Sequence, residues 1–490
     1  METDETIERL RRLKIAAHEN GGPESAAARV REGTTTALER IVQLLDPGTF
    51  VELDVFTGGM VAGLGKMGGR EVCVWAEAPL LGRRGGMTRA AGKAAKVIDL
   101  ALKTGVPIVS LHDGGVLAAG AGSLPGPYGE ILFRQVMASG VVPQLGVIMG
   151  PCDGSRALSA LLTDFTVMVK GTGRLLFSGG QLGAGSDGDP RQTTEGLQQP
   201  GRAPTSEFPE GSVHLEAVDE TAGLDAARRL LSFLPQNNLM DPPSVPVVDP
   251  ITRETRALEE ILGSARNSAG ASSATDTLGY DMREVIRLVF DQGSFFELMA
   301  KWGASVVMGF ARLGGRAVGV VANDPRVDGG CLDMDAAGKA ARFIRTCDAF
   351  NVPLVTLVDT PAVRIEEGPA QGGATARHLA KLLYAYCEAN VPKLTVVLGR
   401  AFGAAYEVMG SKQARSDLCL AWPSAQIAST ASAAVTLARA TLPALVAAKR
   451  GLVDDVIEPA ETRLRLATAL EACLSKREGR PPKKHGNPPV

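Results

Sequence analysis

The sequence predicts a duplicated α/β protein, and three observations carry that expectation. First, the chain is written twice. FVELD at 50–54 returns as FFELM at 295–299, and GLGKMGGREVCVWA at 63–76 returns as GFARLGGRAVGVVA at 309–322. GKAAKVIDLALKTGVPIVSLHDGG at 92–115 returns as GKAARFIRTCDAFNVPLVTLVDTP at 338–361. Positions 63, 92 and 113 thus reappear at 309, 338 and 359, a constant offset of 246 residues. VVPQLGVIMGPCDGSRA at 141–157 returns as NVPKLTVVLGRAFGAAY at 390–406, with the offset slightly enlarged. The period is far too long for a solenoid and fits two related domains. Second, short apolar strands alternate with helical segments, the grammar of layered α/β units. Third, aromatics make up 4% of 490 residues while Gly numbers 57, which suits close backbone packing between Ala- and Val-rich layers.

Each half then has the same order. Two strands flank a glycine turn, Gly68-Gly69 or Gly314-Gly315. An Ala/Lys helix follows, then a strand that opens on Val-Pro and ends at Asp113 or Asp359. A second helix comes next, YGEILFRQVMASG or ATARHLAKLLYAYCEAN. A second Val-Pro strand then runs into a small-residue loop, GPCDGSRA at 150–157 or GRAFGAAY at 399–406. Pro-, Asn-, Ser- and Ala-rich stretches between the halves, QNNLMDPPSVPVVDP and SARNSAGASSATDT, place the boundary near 235–280. The expected division is residues 1–240 for the first domain, 241–280 for a linker and 281–490 for the second domain.

Totals exclude several classes. A net charge of −2 gives no basic face, so nucleic acid is not an expected partner. The seven cysteines contain no CxxC pair, so a zinc ribbon is not supported, and no metal site is assigned. Their odd number and apolar settings suggest reduced thiols. The N-terminus, METDETIERLRRLK, reads as a charged surface helix and not a signal peptide. No apolar run reaches the roughly 18 residues of a membrane span, and a cytoplasmic protein is expected. GxSxG, HExxH and GxxxxGK[ST] are all absent. The basic run KREGRPPKK near the C-terminus reads as a solvated tail.

A strand-to-helix turn rich in small residues can aim main-chain N–H groups at an anion. Both loops have that form, and the words around them carry a resemblance. DLALKTGVP, IMGPC, LTDFTVMV, LPQNNL, GCLDMDAAGKAARFIRTCDAFNVP, AKLLYAYCEANVPK, LAWPSAQIA and the terminal PPKKHGN resemble the carboxyltransferase β subunit of biotin-dependent acyl-CoA carboxylases, the propionyl-CoA/acetyl-CoA carboxylase type. The resemblance covers nearly the whole chain. It implies two tandem crotonase-like domains, each a ββα spiral, and a homo-hexamer or a dimer. It implies an acyl-CoA thioester bound mainly by the first domain. Biotin would meet mainly the second, arriving on a partner biotin carboxyl carrier/biotin carboxylase subunit. CO2 would pass from carboxybiotin to the α-carbon of the thioester, with main-chain N–H groups holding the developing oxyanions.

The resemblance places one oxyanion hole at Gly403, Ala404 and Ala405, with Ala404 where Gly is usual. It places the other at Gly154 and Ser155, in a loop that departs from the family pattern. The family carries small residues at 153 to 156; here Asp153 and Arg156 stand among them. Arg156 is expected either to fill the acyl pocket or to pair with a substrate carboxylate, unless Asp153 neutralises it locally. His112 replaces an Asn of the family, and Arg364 belongs to RIEEG at 364–368, a word out of its usual place. With Asp153 and Arg156 they complete the candidate binding residues. Further departures fall at GGVLAAGAG, EGLQQPGRAPTS and the shortened segment after LAWPSAQIA. Two other readings follow from these departures. One is a biotin-independent decarboxylase of a malonyl-type thioester, and the other is a catalytically degenerate subunit of a carboxylase ring.

Overall fold

The structure, a computed structural model, describes residues 2–18, 35–57, 59–77, 86–114, 128–176, 211–261, 263, 279–365, 369–428, 442–476 and 478–489. It divides into two compact units, Met1–Ser232 with Gln236–Asn238, and Phe233–Pro235 with Leu239–Val490. Of the departures named above, residues 115–122, 195–206, 366–368 and 429–441 lie outside the described residues.

In the first unit α1 (Glu2–His18) shows an exposed face from 5 to 14, as its charge pattern predicts. Helix α2 (Ala37–Leu44) starts on a capping box: Thr36 accepts from the Glu39 N–H while the Glu39 carboxylate takes the Thr36 N–H. The strands are β1 (Val51–Glu52), β2 (Met60–Met67), β3 (Arg70–Glu77), β4 (Ile108–His112), β5 (Gln144–Ile148), β7 (Phe165–Val169) and β9 (Leu215–Ala217). They form one sheet in the order β1-β2-β3-β4-β5-β7-β9. The first three are antiparallel, and the rest join in parallel. Strands β4, β5 and β7 are buried along their whole length, which is why they read as continuous apolar runs without alternation. A small parallel pair, β6 (Pro151–Asp153) and β8 (Arg174–Leu176), stands apart from this sheet. Helices α3 (Gly86–Thr104), α4 (Gly129–Ala138), α5 (Gly154–Leu161) and α6 (Glu220–Phe233) complete the unit. The alanines Ala90, Ala91, Ala94 and Ala101 of α3 let its axis lie close to β2 and β3, around Trp75.

The second unit repeats the plan. Helix α7 (Met282–Val289) is capped by Asp281. Strands β10 (Phe296–Leu298), β11 (Val306–Leu313), β12 (Arg316–Asn323), β13 (Leu354–Thr360), β14 (Lys393–Phe402), β15 (Leu418–Ala421) and β18 (Asp455–Val456) lie in that order. Strand β16 (Gln426–Ala428) pairs with the far end of β14 and with β17 (Leu442–Pro443). Helices α8 (Met334–Ala349) and α9 (Pro369–Glu388) follow the predicted order, and α10 (Gly403–Glu407), α11 (Ala444–Lys449) and α12 (Thr462–Cys473) complete the unit.

The repeat extends to side-chain detail. Each glycine turn sits at positive φ, and each is held by one carboxylate. Asp46 accepts from the Gly68 and Gly69 N–H groups at 3.0 and 2.7 Å; Asp291 accepts from Gly314 and Gly315 at the same distances. The halves differ at the following lysine. Lys93 pairs with Glu52 at 2.9 Å, whereas Glu297, at the matching place, is held by Arg283. Lys339 instead donates to the carbonyls of Met299 and Trp302 at 3.2 and 2.6 Å.

Residues 239–261 are built into the second unit. Val245 N–H donates to Gly315 O, Arg312 reaches Pro243 O, and Arg463 donates to Asp249 O. The basic tail is mostly exposed, as its composition suggests, but two of its side chains dock. Arg480 donates to the carbonyls of Cys387 and Ala389, and Lys483 pairs with Glu388, so the tail closes the C-terminal end of α9. The exposed carbonyls and acidic side chain of a helix end attract cations, which explains the docking. The seven cysteines are free thiols, and all but Cys387 and Cys473 are buried. No helix among the described residues is long and apolar enough to cross a membrane.

Candidate active site

In the first unit the loop grows out of β5. Met149 and Gly150 both donate to His112 O, which ties the loop to the end of β4. Gly150 presses against Asp113, and β6 then leads directly into α5. Gly154 opens that helix at φ +46, a conformation costly for a side chain. The preceding residue, Asp153, gives no side-chain cap. The first N–H groups of α5, those of Gly154 and Ser155, therefore have no capping side chain, and both residues are exposed.

Asp153 does not cap because its carboxylate faces Arg156 Nη1 at 3.1 Å. Arg156 itself is only 4% exposed. Its Nε lies 3.6 Å from Glu77 Oε1, and its guanidinium sits 5.9 Å from the Tyr128 ring centroid. Gly114 makes room for it: a Cβ there would meet Arg156 Cδ at 2.4 Å. Burial pushes the Glu77 carboxyl up to about 7, against the pull of Arg156. Glu77 Oε2 accepts the Asp113 N–H at 3.1 Å. Asp113 Oδ2 in turn receives Arg40 Nη1 at 2.6 Å, and Arg40 also pairs with Glu220.

His112 is completely buried, and burial followed by the charge of Arg156 lowers its pKa to about 3. The ring is therefore neutral. Its Nε2 lies 2.9 Å from Ser110 Oγ, and that hydroxyl donates to Leu145 O. Ser110 has one proton and gives it to the carbonyl, so Nε2–H is the donor to Oγ. The lone pair falls on Nδ1. Burial raises the Cys152 thiol well above its usual range, which keeps it protonated.

In the second unit Gly399 presses on Asp359 as Gly150 does on Asp113. The Arg400 N–H and Nε both donate to Asp359 Oδ1 at 3.0 Å, and Tyr280 OH donates to Oδ2 at 3.1 Å. The end of β14 pairs with β16, as β6 pairs with β8. Gly403 opens α10 at φ +52, and Phe402 provides no side-chain cap. Gly403 and Ala405 are buried and Ala404 is exposed. Arg364 donates from its own N–H to Leu332 O, and its guanidinium pairs with Asp328 and, at 3.1 Å, with Asp333.

The structure thus brings the buried His112 and Arg156 and the half-buried Asp153 into one network beside Gly154 and Ser155. Sequence reasoning missed Glu77, Cys152 and Arg40 in that network, and Arg400 and Tyr280 in the second. A signal for Glu77 existed: at the offset of 246 it faces Asn323, whose Oδ1 accepts the Asp359 N–H. At the loop offset, Cys152 and Arg156 face Ala401 and Ala405, and His112 faces Val358.

The Carboxyl transferase domain family matches residues 28–438 and 430–488. The chain belongs to that family. It is 39% identical, over 100% of both chains, to the propionyl-CoA carboxylase carboxyltransferase subunit of Haloferax mediterranei. It is 37% identical to the methylmalonyl-CoA decarboxylase subunit alpha of Veillonella parvula, over 99% of both chains. The transcarboxylase 12S crystal structure, described as a hexamer assembly with methylmalonyl-coenzyme A and methylmalonic acid bound, superimposes with a TM-score of 0.86 at 34% identity. That match covers 99% of each chain. The tandem crotonase-like fold and the assignment as a carboxyltransferase of the acyl-CoA carboxylase family follow, in agreement with the resemblance read from the sequence.

Proposed function

We propose that this carboxyltransferase moves a carboxyl group from carboxybiotin, carried on a partner subunit, to the α-carbon of an acyl-CoA. The observation that carries the reading is the repeated turn. In each unit a Gly lying against an Asp leads to a positive-φ Gly, Gly154 or Gly403, that opens a helix without a side-chain cap. In the transfer the N–carboxyl bond of carboxybiotin breaks, the α-proton of the thioester goes to the ureido group, and the new C–C bond forms at the α-carbon. Negative charge builds on the thioester oxygen and on the ureido oxygen. The Gly154 and Ser155 N–H groups serve the first, and those of Gly403, Ala404 and Ala405 serve the second. One such donor is worth roughly 3–4 kcal/mol of barrier, so main-chain groups suffice without a side-chain acid or base.

Arg156 acts here by holding the loop. Its guanidinium is committed to Asp153 and faces Glu77, so a substrate carboxylate would have to displace Asp153. Domain roles follow the loops: residues 1–240 serve the acyl-CoA and 281–490 the biotin. A ring of six subunits is proposed from the 12S relative, described as a hexamer. Cytoplasmic location is proposed with it.

The test uses the full chain with methylmalonyl-CoA or malonyl-CoA, with and without free biotin. Biotin-dependent carboxyl exchange is the expected result. Biotin-independent CO2 release would replace this reading with the decarboxylase, which the likeness to the Veillonella subunit keeps in view. No turnover and no CoA binding by calorimetry would leave a degenerate ring subunit.

A further inference from the structure

We infer that Glu77, His112 and Cys152 form a binding site for a divalent transition metal of the zinc class. The inference is independent of the carboxyl-transfer reading. The three residues come from three strands: Glu77 ends β3, His112 ends β4, and Cys152 is the middle residue of β6. One ligand atom from each lies within 4.8 Å of the others. Their exposures are 2%, 0% and 0%.

Two of these donors are unsatisfied. The Ser110 hydroxyl fixes the Nε2–H tautomer, so His112 Nδ1 carries a buried lone pair, and it accepts no hydrogen bond among the described residues. An imidazole whose second nitrogen is held by a hydrogen-bond acceptor is the usual form of a metal-binding histidine. Glu77 Oε1 likewise accepts no hydrogen bond among the described residues. Its charged neighbour Arg156 Nε stands 3.6 Å away, outside hydrogen-bond range. Cys152 Sγ makes only weak contacts, to Gly150 O at 3.6 Å and with the Gly114 N–H. Nitrogen, oxygen and sulfur therefore converge in a buried space without bonding to one another. Buried polar atoms of native proteins are nearly always satisfied, by protein, water or an ion.

The charge balance suits a divalent ion. A carboxylate, a thiolate and a neutral imidazole supply two negative charges and the mixed donor set that zinc accepts. The cation Arg156 keeps Asp153 as its own partner, and Arg40 keeps Asp113 and Glu220. Binding releases the thiol proton to solvent, and with it the Glu77 proton where the carboxyl holds one, since thiolate and carboxylate are the ligands. Ions of this kind sit about 2.0–2.3 Å from their donors, so a modest inward shift of the side chains closes the site. The second unit has no counterpart, because Asn323, Val358 and Ala401 occupy the matching places. Cys152 lies two residues before Gly154, so the ion would pin the loop that carries the first oxyanion donors.

The full chain, grown in zinc-supplemented medium, should carry zinc stoichiometric with protein by plasma mass spectrometry. After chelation, cobalt(II) should produce the thiolate-to-metal charge-transfer band and the visible bands of a tetrahedral site. Cys152→Ala and His112→Val, which install the residues of the second unit, should abolish the charge-transfer band and reduce bound metal at least tenfold. Cys152→Ser serves if either variant fails to fold, and should lose the same band. A folded wild-type chain with no bound zinc, no cobalt band and no change in melting temperature on adding metal would overturn the site and leave a buried water as its occupant.

Discussion

A Cβ on Gly150 would fall 1.9 Å from Oδ1 of Asp113. The same relation holds in the second unit, where a Cβ on Gly399 would fall 2.5 Å from Oδ2 of Asp359. Neither carboxylate has freedom to retreat, because Arg40 holds the first and Arg400 with Tyr280 holds the second. Gly150→Ala and Gly399→Ala should each cost about 1–3 kcal/mol through overpacking, with Gly150→Ala the more costly. Urea midpoints at constant m-value would measure this. A loss below about 0.5 kcal/mol for both would mean that the aspartates move freely.

Removing a main-chain donor separates chemistry from packing. Proline lacks an N–H and is tolerated in the first turn of a helix. Ser155→Pro and Ala405→Pro should each lower the carboxyl-exchange rate about 10²–10³-fold while leaving the far-ultraviolet circular dichroism unchanged. Should neither variant lose even tenfold while folded, main-chain oxyanion holes are not the source of the rate.

The Arg156–Glu77 relation predicts a non-additive pair. Arg156→Ala alone leaves the buried Glu77 without its cation and should destabilise the chain by about 3 kcal/mol. Adding Glu77→Asn reproduces the Asn323 and Ala405 combination of the second unit and should restore about 2 kcal/mol of that loss. A double-mutant cycle by chemical denaturation, run with chelator present, tests the coupling. Strict additivity would show that the two residues are energetically independent.

Lys339 predicts a pH dependence. Burial lowers its pKa from 10.5 to about 7, with Glu297 and Asp333 opposing the shift and Arg283 adding to it. The unfolded chain then binds more protons than the native one between those values, so stability rises with pH across that window. The contribution is greatest above 10.5 and is lost as pH falls toward about 7. Because buried thiols titrate in the opposite sense, the useful quantity is the difference between wild type and Lys339→Met. Wild type should gain stability relative to the variant from pH 7.5 to pH 9.5; a flat difference would place Lys339 in its charged form throughout.

The sequence made the architecture legible for a definite reason. Strands, glycine turns and small-residue loops are local patterns, and the repeat let each half check the other. Gly68-Gly69 and Gly314-Gly315 announced their turns, although not the carboxylates of Asp46 and Asp291 that hold them. The chemistry of the first loop was less legible, because Arg156 meets Glu77 only after the chain has folded through three strands, β4, β5 and β6. Its partner Asp153 was within reach, three residues away on the start of a helix. The tail is exposed over most of its length, as composition suggests, but composition does not report the helix end that Arg480 and Lys483 close. Lys339 was unreadable for a related cause: its family of contacts changed when Glu297 took Arg283, a switch between distant residues.

The opposed charges of Glu77 and Arg156 also bear on how the two halves of a duplicated chain diverge. Arg156 cannot take the Ala of the other half alone without leaving the buried Glu77 carboxyl without its cation, whereas Glu77 can take Asn and leave Arg156 paired with Asp153. Convergence on the other half therefore has an order, Glu77 before Arg156. The pairing therefore acts as an epistatic gate that sets the sequence of changes open to the first half, even where both halves share a strand order.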